Sequence, residues 1–210
     1  FCLILLAAGE SKRFKSRIPK PYVKIGGKTL LEHSLIKFNR IKQIKNILVV
    51  INKKHLKFFK KISHKKIHKV IGGKTRQIST LNALKYIKRN KLVCRNVLIH
   101  DAARPNLTED LVKKIIKASG KNIIIPKIPI HDALKENVSN QFLLNLPREN
   151  YFLTQTPQSF KFKDILNLHI KNKLRYKDDD LSLVHQLKHV KFIDGKKIIL
   201  KLQTKMILKC

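Results

Sequence analysis

Residues 3–21 read LILLAAGESKRFKSRIPKP. An apolar run predicts a buried strand over Leu3–Leu6, and three very small residues, Ala7, Ala8 and Gly9, follow it directly. A backbone with so little side chain can approach a ligand closely and offer its N–H groups. Five lysines or arginines and two prolines come next. A loop that is small at one end and cationic at the other predicts a phosphate-rich ligand.

The chain beyond this loop alternates apolar strands with helices of amphipathic spacing. Further strands are predicted at Asn46–Ile51, Lys69–Ile71, Val97–His100, Ile123–Ile125 (ended by Pro126) and Ile198–Leu202. Helices are predicted at Leu30–Asn39, Lys53–Ile62, Gln77–Lys88, from a Thr108 cap to Ser119, and near 161–171 and 180–187. This alternation predicts one α/β domain over residues 1–210, with a three-layer, Rossmann-like architecture and a mostly parallel sheet.

Residues 127–152 interrupt the alternation. They are polar, contain Pro129 and Pro147, and are too many for a tight turn. We expect this segment to leave the domain as a protruding β-hairpin arm.

The large positive net charge suggests a second class of function, nucleic-acid binding. The 210 residues hold 47 Lys+Arg and 13 Asp+Glu, a net charge of +34, so a nucleic-acid-binding protein is an alternative. However, the lysines are spread along the whole chain, and with no Trp and 4 Tyr there is no stacking platform for bases. Compositional drift towards lysine is the simpler interpretation, and no specific nucleic-acid partner is expected.

Cysteine usage and hydropathy bear on the cellular setting. Cys2, Cys94 and Cys210 are odd in number and lack C-x-x-C spacing, which argues against a disulfide framework or a zinc site. No apolar stretch approaches the roughly 20 residues of a membrane span, and residues 1–8 lack the basic stretch of a signal peptide. A reducing, cytoplasmic setting without a membrane partner is expected.

Three polar segments each follow a predicted strand directly. They are the opening loop 7–20, GGKTRQIS at 72–79 and HDAARP at 100–105. Ligands of open α/β sheets bind beyond the carboxyl ends of the strands, so these segments are expected to converge on one site. The opening loop matches neither G-x-x-x-x-G-K-[ST] nor G-x-G-x-x-G. Lys20 lies between two prolines, which predicts a pre-positioned cation suited to stabilising transition-state charge.

The opening loop resembles the signature A-A-G-x-[GS]-x-R-[MF]…P-K-Q of sugar-phosphate nucleotidyltransferases. Together with GGKTRQIS, HDAARP, TQTPQSF at 154–160 and a late LKL, it is similar to the 2-C-methyl-D-erythritol 4-phosphate cytidylyltransferase family of the non-mevalonate isoprenoid pathway. The matches run in order along nearly the whole chain. They imply the nucleotidyltransferase fold and a homodimer joined through the arm.

The resemblance also implies a reaction. Members of the family join CTP to methylerythritol phosphate with Mg²⁺ as cofactor and release pyrophosphate. The acceptor's phosphate attacks the α-phosphorus of CTP in line, and no protein residue binds the metal directly. Arg13, Lys20 and Lys201 match the catalytic cations that meet the charge developing on the α-phosphoryl group.

Binding residues follow from the same resemblance. The positions that match the nucleotide site are Ala7, Ala8, Gly9, Gly73, Arg76, Ser79 and Asp101. Those that match the acceptor site are Asp101, Asp132, Arg148 and Lys201, with Arg148 expected to reach the partner subunit's site. Arg104 is expected to brace its loop by ion pairing.

Some positions leave the family's pattern or stay open. Pro21, Lys74 and Ala133 replace a usual Gln, a commonly acidic residue and a frequent Thr. A ribitol 5-phosphate cytidylyltransferase would share every residue on the CTP side, so it remains the alternative acceptor specificity. The run 178–180, three aspartates, is interpreted as a helix cap, with a role for Asp179 near the cations as the alternative.

Overall fold

The computed structural model describes residues 1–9, 18–59, 65–139, 142–172, 179–184 and 189–199. Within them the strands are β1 Cys2–Ala7, β2 Lys24–Ile25, β3 Lys28–Thr29, β4 Asn46–Ile51, β5 Ile67–Ile71, β6 Asn96–Asp101, β7 Ile123–Pro129, β8 Leu134–Ser139, β9 Phe142–Leu146, β10 Phe152–Thr154, β11 Gln158–Lys161 and β12 Val190–Asp194. The helices are α1 Leu30–Asn39, α2 Leu56–Phe59, α3 Arg76–Arg89, α4 Glu109–Ala118 and α5 Phe162–Lys171.

Eight of these strands form the central sheet. β5, β4, β1 and β6 lie side by side and are all parallel. β11 then pairs antiparallel with both β6 and β7, β10 pairs antiparallel with the later part of β7, and β12 pairs parallel with β7. The sheet is therefore mixed and mostly parallel, which confirms the predicted fold class.

Two apolar cores cover the two faces of this sheet. In β1, Leu3 and Leu5 point into one core with α1 and α4, whereas Ile4 points into the other with α3 and α5. Successive strand residues face opposite sides, so a strand buried on both faces must be apolar at every position. The continuous apolar run of β1 therefore reflects the three-layer architecture.

Local capping defines two of the helix starts at the predicted residues. Thr29 and Glu32 form a reciprocal capping box, in which the Thr29 hydroxyl accepts from the N–H of Glu32 at 3.1 Å and the Glu32 carboxylate accepts from the N–H of Thr29 at 2.7 Å. Thr108 accepts from the N–H of Leu111 at 3.4 Å and caps α4. Such a cap stabilises a helix by about 1 kcal/mol.

The prediction that Pro126 ends its strand is wrong. β7 continues through Pro126 to Pro129. In a strand, the N–H and C=O of one residue face the same edge, and the carbonyl of Pro126 accepts from the N–H of Gln155 at 2.8 Å. The edge of Pro126 that lacks an N–H therefore faces the gap between the end of β10 and the start of β11. No described strand carbonyl at this gap needs an N–H from Pro126.

Three other predicted elements need revision. The helix predicted near 180–187 is a 3₁₀ turn at Leu181–Leu183 followed by an extended Val184, and 185–187 lie outside the described residues. The segment from Lys53 begins as a 3₁₀ turn before α2, and its predicted end at 60–62 also lies outside. Ile198, where the last strand was predicted to start, lies in a turn, and 200–202 are not among the described residues.

β8 and β9 pair only with each other among the described strands, as a two-stranded antiparallel ribbon. It lies within the segment predicted to leave the domain.

A helix that crosses a membrane must be long and apolar along its length. Every helix within the described ranges is too short or too polar to cross a bilayer.

Candidate active site

The carboxyl ends of β1, β4, β5 and β6 open into a cleft of about 870 Å³. All three polar segments singled out in the sequence line it, which confirms that they converge. Its lining includes the predicted nucleotide-binding residues Ala7, Ala8, Gly9, Gly73, Arg76, Ser79 and Asp101 and the predicted catalytic residue Lys20. We call this space the larger cleft.

Close packing explains the two glycines at 72 and 73. A Cβ on Gly72 would stand 2.5 Å from the Cβ of Ala8 and 2.9 Å from the Ser79 hydroxyl, and one on Gly73 would overlap Ile78. The Ser79 Oγ accepts from the N–H of Gly73 at 3.1 Å and donates to the Thr75 carbonyl at 2.8 Å. Ser79 therefore fixes the shape of this loop as well as lining the cleft.

Lys20 enters the larger cleft from a braced turn. Pro19 is extended, as predicted, and Lys20 begins a 3₁₀ turn that ends at Tyr22. The Tyr22 ring is buried and stacks on Phe58 at a centroid distance of 5.2 Å, and burial raises the pKa of Tyr22 to about 12. An aromatic anchor two residues away holds the backbone of Lys20 in place.

Asn52, which the sequence analysis missed, links two loops at the rim of the larger cleft. Its Nδ2 donates to the carbonyl of Ala8 at 3.4 Å, and its Oδ1 accepts from the N–H of Lys54 at 2.9 Å. An Asn between a buried strand and a turn is a common cap, and that signal could have identified it.

Arg76 and Asp101 form the floor of the larger cleft, and a chain of polar contacts continues from Arg76 to Asp180 and His169. Arg76 Nε donates to Asp101 Oδ1 at 3.3 Å, and Arg76 Nη1 donates to Asp180 Oδ2 at 2.6 Å. On its other side, Asp180 Oδ1 lies 3.0 Å from Nε2 of His169. Burial alone would lower the pKa of Arg76, but Asp180 and Asp101 outweigh it, so the pKa is raised and Arg76 stays charged.

A second cleft of about 500 Å³ lies beyond this floor. Arg76 and Asp101 line both clefts, and Arg104, Thr156 and Asp179 are among the other residues that line the second. We call this space the smaller cleft. Two ligands bound in the two clefts would therefore meet at Arg76 and Asp101.

The aspartates at 179 and 180 have separate roles, and Asp178 lies outside the described residues. Asp179 Oδ1 accepts from the N–H and hydroxyl of Ser182 at 2.9 and 2.6 Å, so it braces a 3₁₀ turn where a helix cap was predicted. Its Oδ2 accepts from Thr154 and Gln158. Asp180 makes no capping bond and is the buried partner of Arg76 and His169.

Asp132 and Arg148, the two acceptor residues predicted on the arm, line neither of the two clefts. Arg148 begins a 3₁₀ turn, is exposed, and donates through Nη1 to the carbonyl of His131. Asp132, the residue after His131, is also exposed. Neither Asp132 nor Arg148 therefore lines the larger cleft together with Lys20.

Comparison with known proteins decides the family. The model of the family described as "IspD: 2-C-methyl-D-erythritol 4-phosphate cytidylyltransferase" matches residues 1–209. The chain belongs to this cytidylyltransferase family.

Individual relatives support the same family. A bifunctional IspD/IspF enzyme of Pelagibacter ubique is 44% identical over 195 residues, 92% of this chain and 52% of that protein. The chain thus spans about half the length of that relative. A 2-C-methyl-D-erythritol 4-phosphate cytidylyltransferase of Thermosipho melanesiensis is 34% identical, over 96% of this chain and 92% of its own. The crystal structure of 4-diphosphocytidyl-2C-methyl-D-erythritol synthase from Anaerococcus prevotii has a TM-score of 0.81 at 28% identity, covering 99% and 92% of the two chains.

Three catalytic cations were predicted in this chain of the cytidylyltransferase family. Arg13 and Lys201 lie outside the described residues, so their roles stay predictions. The predicted ion pairing of Arg104 is not among the described contacts, because Arg104 donates from Nη1 to the carbonyl of Ile199 at 2.9 Å. The described ion pair of Asp101 goes to Arg76 instead. The reason is geometric, because Arg76 at the start of α3 faces the end of β6 directly.

His100, in the HDAARP segment, is expected to make the stability of the fold depend on pH. It is fully buried, its Nδ1 lies 2.9 Å from the Thr156 hydroxyl, and burial lowers its pKa to about 4 despite the neighbouring Asp101. Since the unfolded chain binds this proton near pH 6.5 and the folded chain does not, stability should fall as pH drops from 6.5 to 4, by at most about 1.4 kcal/mol per pH unit.

Thermal unfolding of the native protein and a His100→Asn variant between pH 7.5 and 4.5 checks this prediction. The variant lacks the titrating group, so its Tm should decline less steeply over the interval. Parallel curves for the two proteins would show that His100 does not cause the effect.

Proposed function

We propose that this chain transfers the cytidylyl group of CTP to 2-C-methyl-D-erythritol 4-phosphate and releases pyrophosphate. The observation that carries the proposal is the larger cleft, where Ala7–Gly9, Gly73 and Lys20 meet at the carboxyl edge of the sheet. Its small residues leave room for close backbone contacts to a nucleotide, and membership of the cytidylyltransferase family supplies the reaction.

The cations of the site act on charge that develops during the transfer. The acceptor phosphate attacks the α-phosphorus of CTP, a P–O bond to the acceptor forms, and the bond to the pyrophosphate leaving group breaks. Lys20, held by its turn, stabilises the α-phosphoryl charge, and Arg13 and Lys201 are proposed to share this role. A preorganised cation is effective because it needs no reorganisation when the charge appears.

The two clefts divide the substrates. CTP occupies the larger cleft and the acceptor polyol the smaller one, so that the Asp101 carboxylate lies between the ribose and the polyol hydroxyls. The acceptor's phosphate is gripped by Arg148 and Lys201. Arginine suits this task since its planar fork can donate two hydrogen bonds to phosphate oxygens.

Mg²⁺ is the proposed cofactor. Asp101 provides the one carboxylate among the described residues that line the larger cleft, and one carboxylate with several phosphate oxygens suits this hard cation. Since Asp101 already pairs with Arg76, the phosphates of CTP would hold the metal mainly themselves. When bound, Mg²⁺ neutralises part of the triphosphate charge.

The active unit is proposed to be a homodimer joined through the arm, in a cytoplasmic setting. Apolar side chains of the arm are exposed to solvent, and the exposed fraction is 63% for Val138, 70% for Leu143 and 51% for Leu144. Such exposure favours a partner that covers them.

The free thiols of Cys2 and Cys94 are compatible with the proposed cytoplasmic setting, which is a reducing compartment.

Pyrophosphate release tests the function directly. The purified chain is incubated with CTP and Mg²⁺ and with either methylerythritol phosphate or ribitol 5-phosphate. Turnover should be high with the former and low with the latter, and UTP and ATP should replace CTP poorly. Preferential turnover of ribitol 5-phosphate would reassign the acceptor, and release with neither polyol phosphate would refute the proposed reaction.

A further inference from the structure

Arg76 is part of the floor that separates the two clefts. It is the first residue of α3, and it lines both clefts together with Asp101. A cation at a helix N-terminus opposes the helix dipole, so its position there requires carboxylates close by. Asp101 and Asp180 supply them, one on each side.

Asp180 is the buried member of this arrangement, with its side chain 1% exposed. Both of its oxygens are used, Oδ2 by Arg76 at 2.6 Å and Oδ1 by His169 at 3.0 Å. A buried carboxylate is strongly stabilised by each hydrogen bond it accepts, and two bonds from different directions also fix its rotation. Burial would raise the pKa of Asp180, but Arg76 and His169 outweigh it, so the pKa is lowered and the carboxylate is ionised.

His169 comes from α5, a helix that follows all three polar loops in the chain. Its side chain is 1% exposed and lines neither cleft, while Ile165 and Leu166 on the same helix are buried in the core beneath α3. The end of α5 is also tied to α3, since Gln77 Nε2 donates to the carbonyl of Asn172 at 2.7 Å. His169 therefore offers its donor from a rigidly packed element next to the start of α3.

We propose that His169 is a positioning residue for the transfer reaction. Through Asp180 it fixes the guanidinium of Arg76, and through Arg76 it fixes the carboxylate of Asp101 between the two substrates. The role requires a donor at the place of Nε2 and does not require an imidazole as such. The proposal rests on the proposed function for its kinetic consequences only.

Three variants of the full chain separate positioning from packing. His169→Met keeps the side-chain bulk and removes the donor, whereas His169→Gln places an amide N–H where Nε2 lies. Leu166→Ala, one turn earlier on α5, is the matched control, because it opens a cavity in the same core without touching a polar group.

The kinetic readout is the KM for each substrate, measured by pyrophosphate release on folded protein. Since Arg76 lines both clefts, His169→Met should raise the KM for CTP and for the polyol phosphate by about tenfold. His169→Gln should stay within about threefold of native, and Leu166→Ala should lower the Tm with both KM values unchanged. Unchanged KM values in the Met variant, or an equal rise in Leu166→Ala, would overturn the proposal.

A second readout is independent of activity. The Nε–H of Arg76, bonded to Asp101 at 3.3 Å, can be followed by ¹⁵N NMR. Its exchange with solvent should be at least about tenfold faster in His169→Met and near native in His169→Gln. Equal exchange in native and Met proteins would contradict the positioning role. If the native protein released no pyrophosphate, the proposed function would fail, and this comparison would still decide the role of His169.

Should His169→Met not fold, His169→Asn takes its place. An asparagine amide is one bond too short to reach Asp180, so this variant should show the raised KM values and faster Arg76 exchange. KM values and exchange equal to those of His169→Gln would then refute the proposal.

Discussion

Replacing Lys20 by alanine is expected to lower kcat by about 10²–10³-fold, the size measured when one preorganised stabiliser of transition-state charge is removed. The turn at Lys20–Tyr22 is held by the buried Tyr22 ring and by hydrogen bonds of its backbone, none of which the substitution touches. The Tm should therefore stay close to that of the native protein. Steady-state kinetics with saturating CTP and acceptor, together with thermal unfolding, measure both.

Lys24→Ala is the matched control. It removes the same charge four residues away, from an exposed side chain that does not line the larger cleft. We expect it to leave kcat within about twofold of native, since an exposed charge at that distance is largely screened. Near-native turnover in Lys20→Ala, or an equal loss in Lys24→Ala, would show that Lys20 does not act on the reacting phosphate.

The second large effect is expected when Arg148, on the arm, is replaced by alanine. Arg148 lies on the arm and lines neither cleft of its own protomer, so we propose that it serves the site of the partner. Arg148→Ala should raise the KM for the polyol phosphate far more than the KM for CTP, because it removes an acceptor contact and leaves the nucleotide loops intact. At low acceptor concentration the variant should be almost inactive.

Subunit exchange makes the test decisive. When Arg148→Ala and Lys20→Ala chains are mixed, a dimer that works in trans carries both lesions in one site and neither in the other. Half of the dimers are mixed after random exchange, so activity should return to about a quarter of the native value. Glu149→Ala, an exposed neighbour on the same turn, should stay active in its own homodimer. A mixture that stays inactive after proven exchange would show that Arg148 serves its own subunit.

Much of the fold and of the larger cleft could be predicted from the sequence because the relevant signals are local. The apolar run of β1 identifies a strand buried on both faces, and Thr29 and Thr108 define helix starts by capping the N–H groups beside them. Parallel strands end at a common edge, so the loops after β1, β5 and β6 had to meet.

Other features depend on contacts between distant residues, and no local pattern encodes them. β7 runs through Pro126 only because the missing N–H faces the interruption between β10 and β11. Arg104 turns to the carbonyl of Ile199, 95 residues away, which the short HDAARP motif could not reveal.

The sequence by itself therefore determined the layered α/β fold, the convergence of three polar loops and several of the residues that line the larger cleft. Only the tertiary structure decided how those residues are held, since Arg76 and Asp180 are separated by 104 positions and His169 reaches Asp180 from another helix. The physical reason is burial. A charge removed from water must find partners wherever packing places them, and the core that packs α5 against α3 is assembled from the whole chain.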